Sequence, residues 1–354
     1  MPQSASNRKE GIKESMSELK RADTQKPRSY VLDAIKLDSK KNNAKRKKML
    51  RELENVLGSP VITYIENRNV SYLSSMGEND EKFMIDLLSS IPRTTKKVNL
   101  ILSSFGGDPD TALKEAQILR DMFPEGFNII IPQFAKSAAT LISLGANKII
   151  MGQFSELGPI DPILVKQNAE GEQVNFPVKN YLGAIIEAKK MIINEGNPQI
   201  RNMYLKKLEV HSDFNFIKLC KDTFKTIEID ARKLLERGAM KGRTDEEISN
   251  TINIMINGQD HLLHSSLINA SEAQSKLKLN VELWDIHDPR FKLLWTYYMC
   301  AEALFGIENI SKLYETPNIT IKETYEIEGE EPDAHDHANE TLATDVIKAS
   351  RRQG

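Results

Sequence analysis

Apolar residues change their spacing along this chain. Val61, Ile62, Tyr64 and Ile65 are closely set, as in a strand, and Phe83, Met84, Leu87 and Leu88 then recur at helical spacing over 80–90. The alternation continues. KVNLIL at 97–102 predicts a buried strand, 110–122 a helix, NIIIP at 128–132 a strand, 138–144 a helix and 148–151 another strand. Short apolar strands alternating with helices imply βαβ crossovers, and so a parallel sheet covered by helices. Ligands of such sheets sit at the carboxyl ends of the strands.

Outside this region the pattern differs. Met49, Leu50, Leu53, Val56 and Leu57 fall at helical spacing with Gly58 just beyond, which predicts a short amphipathic helix docking on the core or on a second subunit. The basic cluster before it, Lys40, Lys41, Lys45, Arg46, Lys47 and Lys48, reads as a solvated or partly helical tail and not as core. Beyond Pro177 the periodicity is mostly helical, over 181–193, 203–208, 214–235 and 291–305, with one strand at 281–284. From Glu323 to Glu340 the chain is acidic without a sustained apolar face, so a disordered tail is expected. The expected division is a basic tail with an amphipathic helix (1–57), a main α/β domain (58–310) and an acidic tail (311–354).

Composition narrows the function classes. The 354 residues allow two domains, or one large α/β domain with appendages, and 40% apolar with 28% charged residues is ordinary globular composition. With 48 Lys and Arg against 50 Asp and Glu, the formal charge of -2 gives no global attraction to nucleic acid, and no nucleic-acid partner is expected. Two cysteines, Cys220 and Cys300, can supply neither a disulfide framework nor a four-thiolate metal site. His335, Asp336 and His337 have metal-ligand chemistry but lie in the acidic stretch without a companion cluster, and no metal or cofactor is expected. No apolar run approaches the roughly 18 residues of a membrane span, and the amino end has no apolar signal core. A cytoplasmic protein without a transmembrane segment is the simplest expectation.

Two segments place glycine, small residues and a hydroxyl where strands end. In Leu102-Ser103-Ser104-Phe105-Gly106-Gly107-Asp108-Pro109 the paired glycines admit backbone conformations closed to other residues, while Asp108 and Pro109 suit a helix start. Amides at such a corner face outward at a helix N-terminus and can stabilise a developing oxyanion. In Gln133-Phe134-Ala135-Lys136-Ser137-Ala138-Ala139-Thr140, Ser137 falls between strand and helix, flanked on one side by alanines. It suits an exposed nucleophile and equally a helix N-cap. Consecutive strand-to-helix corners of a parallel sheet lie near one another, so one corner can donate amides while the other supplies the attacking oxygen. A serine nucleophile needs a base. The next histidine, His211, lies 74 positions on (211 − 137) across a helical region, which makes a histidine triad awkward. Lysine serves where burial disfavours its ammonium form, and Lys136, Lys166, Lys179, Lys189 and Lys190 are available.

Three stretches in order, Ser103-Ser104-Phe105-Gly106-Gly107-Asp108, Ala135-Lys136-Ser137-Ala138-Ala139-Thr140 and Ser155-Glu156-Leu157-Gly158-Pro159-Ile160-Asp161-Pro162, resemble the serine dehydrogenase proteinase family. That family is related to signal peptide peptidase A and more distantly to the Clp protease proteolytic subunit and the crotonases. The resemblance covers roughly 61–305. It implies an α/β Clp/crotonase-like fold, a spiral of ββα units with a mostly parallel sheet and a helical C-terminal part. It implies a serine peptidase with a Ser/Lys dyad and an acyl-enzyme, acting on polypeptides without a cofactor, assembled as a ring or other homo-oligomer; any unfoldase or adaptor partner is left open.

Mapped onto this sequence, the family's serine is Ser137. Its lysine, in the related membrane-linked peptidases, lies in a Pro-x-Lys-x-x-Tyr-like stretch about forty residues later. Phe176-Pro177-Val178-Lys179-Asn180-Tyr181 fits, with Lys179 at 42 positions (179 − 137). Gly106, Gly107 and Ala138 become the oxyanion-hole amides, with the donating glycine left open between the two. The stretch through His261 and His264, Ser271-Glu272-Ala273 and Lys278-Leu279-Asn280-Val281 resembles a later family module in which Lys278 replaces an expected glycine, so an altered turn is expected. Two rival readings keep the fold without proteolysis: a catalytically silent assembly or adaptor protein, and an acyl-CoA-processing crotonase-like enzyme.

Overall fold

In the computed structural model, the structure describes residues 39–70, 74–167, 171, 173–257 and 266–325. The first element is a helix, α1 (Ser39–Leu57). The strand VITYIE, β1 (Val61–Glu66), follows and is buried throughout. Next come α2 (Glu78–Ser89), β2 (Val98–Ser103), α3 (Pro109–Met122), β3 (Phe127–Ile131), the two-residue β4 (Phe134–Ala135), α4 (Ala138–Leu144) and β5 (Lys148–Gly152). Each main strand from β1 to β5 lies parallel to its neighbour, with β1 beside β2, β2 beside β3 and β3 beside β5. This is the βαβ succession expected from the spacing of apolar residues. A short β6 (Glu156–Leu157) and a hairpin of β7 (Ile163–Gln167) and β8 (Gln173–Pro177) lead into four helices, α5 (Val178–Asn194), α6 (Pro198–His211), α7 (Phe214–Arg237) and α8 (Asp245–Asn257). The rest is β9 (Ile268–Asn269), α9 (Ala270–Ser275), β10 (Val281–Trp284), α10 (Pro289–Phe305), β11 (Ile310–Glu315) and β12 (Thr320–Thr324).

The central sheet has seven strands in the order β10-β5-β3-β2-β1-β11-β12, parallel from β10 to β1 and antiparallel at β11 and β12. The fold is therefore mixed α/β with a mostly parallel sheet, as expected. Strand residues alternate between two cores. Ile62, Tyr64, Leu100, Leu102, Ile129 and Ile131 face one core beneath α2, α3 and α4. Val61, Ile65, Ile101, Ile130 and Ile150 face the other, closed by α1 and α10. With both faces covered, an uninterrupted apolar strand is the stable sequence.

Two stretches differ from expectation. Residues 310–324 form the antiparallel edge of the sheet and not the start of a tail; in β11 even Ser311, Lys312 and Glu315 are buried. Their charges are neutralised inside, Lys312 Nζ by Asp80 at 2.8 Å and Glu315 by Arg46. The basic cluster behaves likewise, because Arg46 is completely buried while Lys48 stays exposed. Lys278, at the position where a glycine was expected, takes φ +53, a left-handed conformation in which a lysine is strained. His261, His264 and the segment 326–354 with His335 and His337 lie outside the described residues.

Candidate active site

The two corners singled out in the sequence are joined by backbone. Ser104 N–H donates to the Phe134 carbonyl (3.2 Å), and Lys136 N–H donates to the Ser104 carbonyl (2.9 Å), forming a parallel bridge between Ser104 and Ala135. Phe105 stacks on Phe134 with ring centroids 4.2 Å apart. The end of β2 and the start of α4 are therefore one unit.

Glycine is obligatory where they meet. Gly106 has φ +93, and a Cβ there would sit 2.6 Å from the Lys136 carbonyl oxygen and 2.8 Å from the Ala138 nitrogen. Gly107 has φ +152, and a Cβ there would collide with the Met76 backbone at 2.4 Å. Met76 clamps the corner, since its N–H donates to the Gly106 carbonyl (2.9 Å) and its carbonyl accepts from Asp108 N–H (3.0 Å). Asp108 then caps α3 through Asp110 N–H and Thr111 N–H, with Pro109 at the first turn.

Ser137 occupies the N-cap position of α4 with φ +50 and ψ -117, yet its side chain makes no capping hydrogen bond. A plain N-cap serine has extended backbone angles and bonds to its helix. A non-glycine residue in this region costs about 1–3 kcal/mol and persists only where surroundings impose it. The residue is partly exposed. The next amide, Ala138 N–H, opens the helix and has no acceptor among the described residues, and the Gly107 amide also has none. The Gly106 amide is engaged, donating to Ser104 Oγ at 2.9 Å. Of the three expected donors, the Gly107 and Ala138 amides are without an acceptor among the described residues, while the Gly106 amide is engaged.

The stretch 155–162 braces this corner. Ser155 Oγ accepts from Gly152 N–H (2.8 Å) and donates to the Ile131 carbonyl (2.6 Å), tying the ends of β3 and β5. Glu156 pairs with Lys136 Nζ at 3.1 Å. Burial lowers the Lys136 pKa and Glu156 raises it in opposition. Thr140 Oγ1 donates to the Ala135 carbonyl (2.7 Å) and accepts from Gly158 N–H (3.1 Å). The chain continues without regular secondary structure to Pro162, whose carbonyl accepts from Val178 N–H (3.0 Å) at the start of α5. Lys179, half-buried in the first turn of that helix, is thus linked to the Ser137 corner through Thr140, Gly158 and Pro162. The neighbouring Val178, with Phe216 and Cys220, forms a small apolar cluster against which Leu164, Phe176 and Tyr181 pack.

Sequence reasoning missed Glu66. This carboxylate ends β1, is fully buried, and accepts from Ser104 Oγ (2.6 Å), Phe105 N–H (2.9 Å) and Tyr64 Oη (3.0 Å). Its one sequence signal is a lone acid closing an otherwise apolar strand. Burial pushes its pKa up to about 8, against the pull of the bonds from Ser104, Phe105 and Tyr64 and of Lys312. Glu115, buried nearby with neither oxygen bonded, is pushed up as well, by burial and by Asp80. Because Glu66 holds its proton more tightly when folded, its contribution is complete below about 4.5 and is lost as pH rises through about 8. Urea midpoints measured from pH 5 to 9 should fall over this window, and Glu66→Gln should flatten the slope; an unchanged slope would contradict the assignment.

Among the described residues no group of three or more His, Cys, Asp or Glu side chains is arranged to hold a metal ion, and no helix is long and apolar enough to cross a membrane.

The model of the ClpP-like SDH-type serine proteinase family matches residues 29–193, a stretch that takes in both corners and Lys179. Two uncharacterized proteins of Methanocaldococcus jannaschii are similar. MJ0137 is 32% identical over 141 residues, covering 38% of this chain and 49% of its own length, and MJ1495 is 30% identical over 125 residues, covering 33% and 42%. The chain thus spans about half the length of the curated relatives it matches, or less. Two solved structures of the 1510-N membrane-bound stomatin-specific protease are also similar, both of mutants and one holding a substrate peptide. They show 20% and 18% identity, cover 38% and 68% of this chain and 63% and 95% of theirs, and have TM-scores of 0.22 and 0.23.

Proposed function

We propose that this chain is a serine peptidase that cleaves polypeptides through Ser137 and Lys179. The observation that carries the reading is the uncapped hydroxyl of Ser137, held at a strained corner that is bonded to the glycine corner, with the Gly107 and Ala138 amides unengaged among the described residues. The family match over residues 29–193 supports a serine peptidase.

In the proposed mechanism the amine of Lys179 takes the hydroxyl proton as Ser137 Oγ attacks the scissile carbonyl. The Gly107 and Ala138 amides receive the oxyanion, each such donor being worth about 3 kcal/mol in the transition state. Lys179 passes its proton to the departing amine, leaving an acyl-enzyme. It then takes a proton from water, which attacks the ester, and returns that proton to Ser137 Oγ as the second product leaves. Ser137 fits this role better than it fits an acyl-CoA enzyme, which needs the paired amides but no hydroxyl.

A fluorophosphonate probe tests the reading. Mass spectrometry should place the adduct on Ser137, and Ser137→Ala should abolish it. Absence of labelling in folded protein would favour a silent assembly or adaptor protein, and thioester turnover that survives Ser137→Ala would favour the acyl-CoA enzyme.

A further inference from the structure

Beneath the glycine corner lies a buried polar cluster that the mechanism above does not use. Its members come from four elements: Tyr64 and Glu66 on β1, Asp80 on α2, Glu115 on α3, and Lys312 and Tyr314 on β11, all buried. Glu323 on β12 reaches Lys312 at 3.3 Å from the rim. Lys312 Nζ donates to both oxygens of Asp80, and Tyr314 Oη donates to the same carboxylate. Asp80 in turn accepts from Gly77 N–H at the start of α2, one residue from the Met76 clamp. A buried cluster so rich in charge is expensive to form, and only part of it meets the corner. That part is Glu66.

The bonds run in one direction. Gly106 N–H donates to Ser104 Oγ, Ser104 Oγ–H donates to Glu66 Oε1, and Glu66 Oε2 accepts from Phe105 N–H. Ser104 has a single proton, and an acceptor below it commits that proton downward and leaves its lone pairs for the Gly106 amide. With the Phe105 and Gly106 amides both drawn inward, the Gly107 amide is the one of the three left without a partner, and Gly107 is exposed while Gly106 is buried. A protonated Glu66 still has lone pairs for both bonds, so the arrangement holds in either charge state.

We propose that Glu66, acting through Ser104, is a positioning residue that turns the Phe105 and Gly106 amides inward and so presents the Gly107 amide, beside that of Ala138, to the reacting carbonyl. This rests on the peptidase reading, because only an oxyanion gives the presented amide its use. The substitutions that test it are Ser104→Ala, which removes the link while sparing the carboxylate, and Glu66→Gln, which alters its lower end.

Two measurements apply. The first is fluorophosphonate labelling of Ser137 with the probe's binding and reaction steps resolved. Ser104→Ala should lower the reaction step about 10- to 100-fold at unchanged probe affinity, with Glu66→Gln in the same direction but smaller; a purely structural residue would lower stability without changing the reaction step of the folded fraction. The second is amide exchange of the full chain labelled with 15N-glycine, where wild-type Gly106 should exchange at least tenfold more slowly than Gly107, and Ser104→Ala should erase the difference. Labelling within twofold of wild type in both folded variants would overturn the proposal, as would equal exchange at Gly106 and Gly107 in the wild type. A wild type that fails to label would instead remove the peptidase reading beneath it.

Discussion

Lys179→Ala should slow the reaction of Ser137 with a fluorophosphonate, and any peptide hydrolysis, by about 10²- to 10⁴-fold, the usual contribution of a positioned general base. Lys179→Arg should be nearly as slow, because a guanidinium keeps the charge and cannot give up its proton in a protein. The pair of variants therefore distinguishes a base from a cation that only attracts substrate, for which arginine would suffice. Lys136 is the neighbouring competitor. Its Nζ is engaged with Glu156 at 3.1 Å and approaches the Leu157 carbonyl at 3.3 Å, so it braces the corner and is poorly placed to take a proton from Ser137. Labelling that survives Lys179→Ala and disappears in Lys136→Ala would transfer the role to Lys136.

Arg46→Ala should destabilise the fold by about 3–5 kcal/mol, the range seen when one member of a buried ion pair is deleted. Arg46 is completely buried in α1, and its Nε and Nη2 both lie 2.9 Å from Glu315 on β11 in a two-pronged bond. Glu315 also accepts from Tyr297 Oη at 2.8 Å, and Arg46 is bonded to Asn42. Removal of the guanidinium strands a carboxylate in the interior between α1, α10 and the sheet. Urea denaturation at pH 7 measures the loss. Lys48→Ala, which breaks an exposed pair with Glu52 at 3.8 Å, is the control and should change stability by less than about 0.5 kcal/mol. Replacing both partners with apolar residues, Arg46→Met with Glu315→Leu, should recover much of the loss. If Arg46→Ala alone costs as little as Lys48→Ala, the packing of α1 on the sheet is not as described.

The apolar residues of 61–151 were sufficient to read the strand and helix succession, because both faces of that sheet are covered and burial dictates composition directly. The same rule fails at ISKLYE. There Lys312 and Glu315 interrupt the apolar pattern, and the partners that allow their burial, Asp80 and Arg46, lie more than two hundred residues away in sequence. No local window contains that information. At the site, both corners were visible as glycine and small-residue clusters at strand ends, and the choice of Ser137 and Lys179 came from resemblance and not from periodicity. The engagement of the Gly106 amide depended on Ser104 and Glu66 meeting across strands, which spacing alone does not report. Lys278 shows the converse, a position whose backbone conformation suits glycine and which the chain fills with lysine at a cost.

The stitching of the corners at Ser104 and Ala135 also governs how the protein fails. Strand ends that share backbone bonds open together, so a fluctuation that frees the serine loop also scatters the amides proposed to serve it. Heat, denaturant or a destabilising substitution should therefore yield inert chains and not half-open ones that cut indiscriminately.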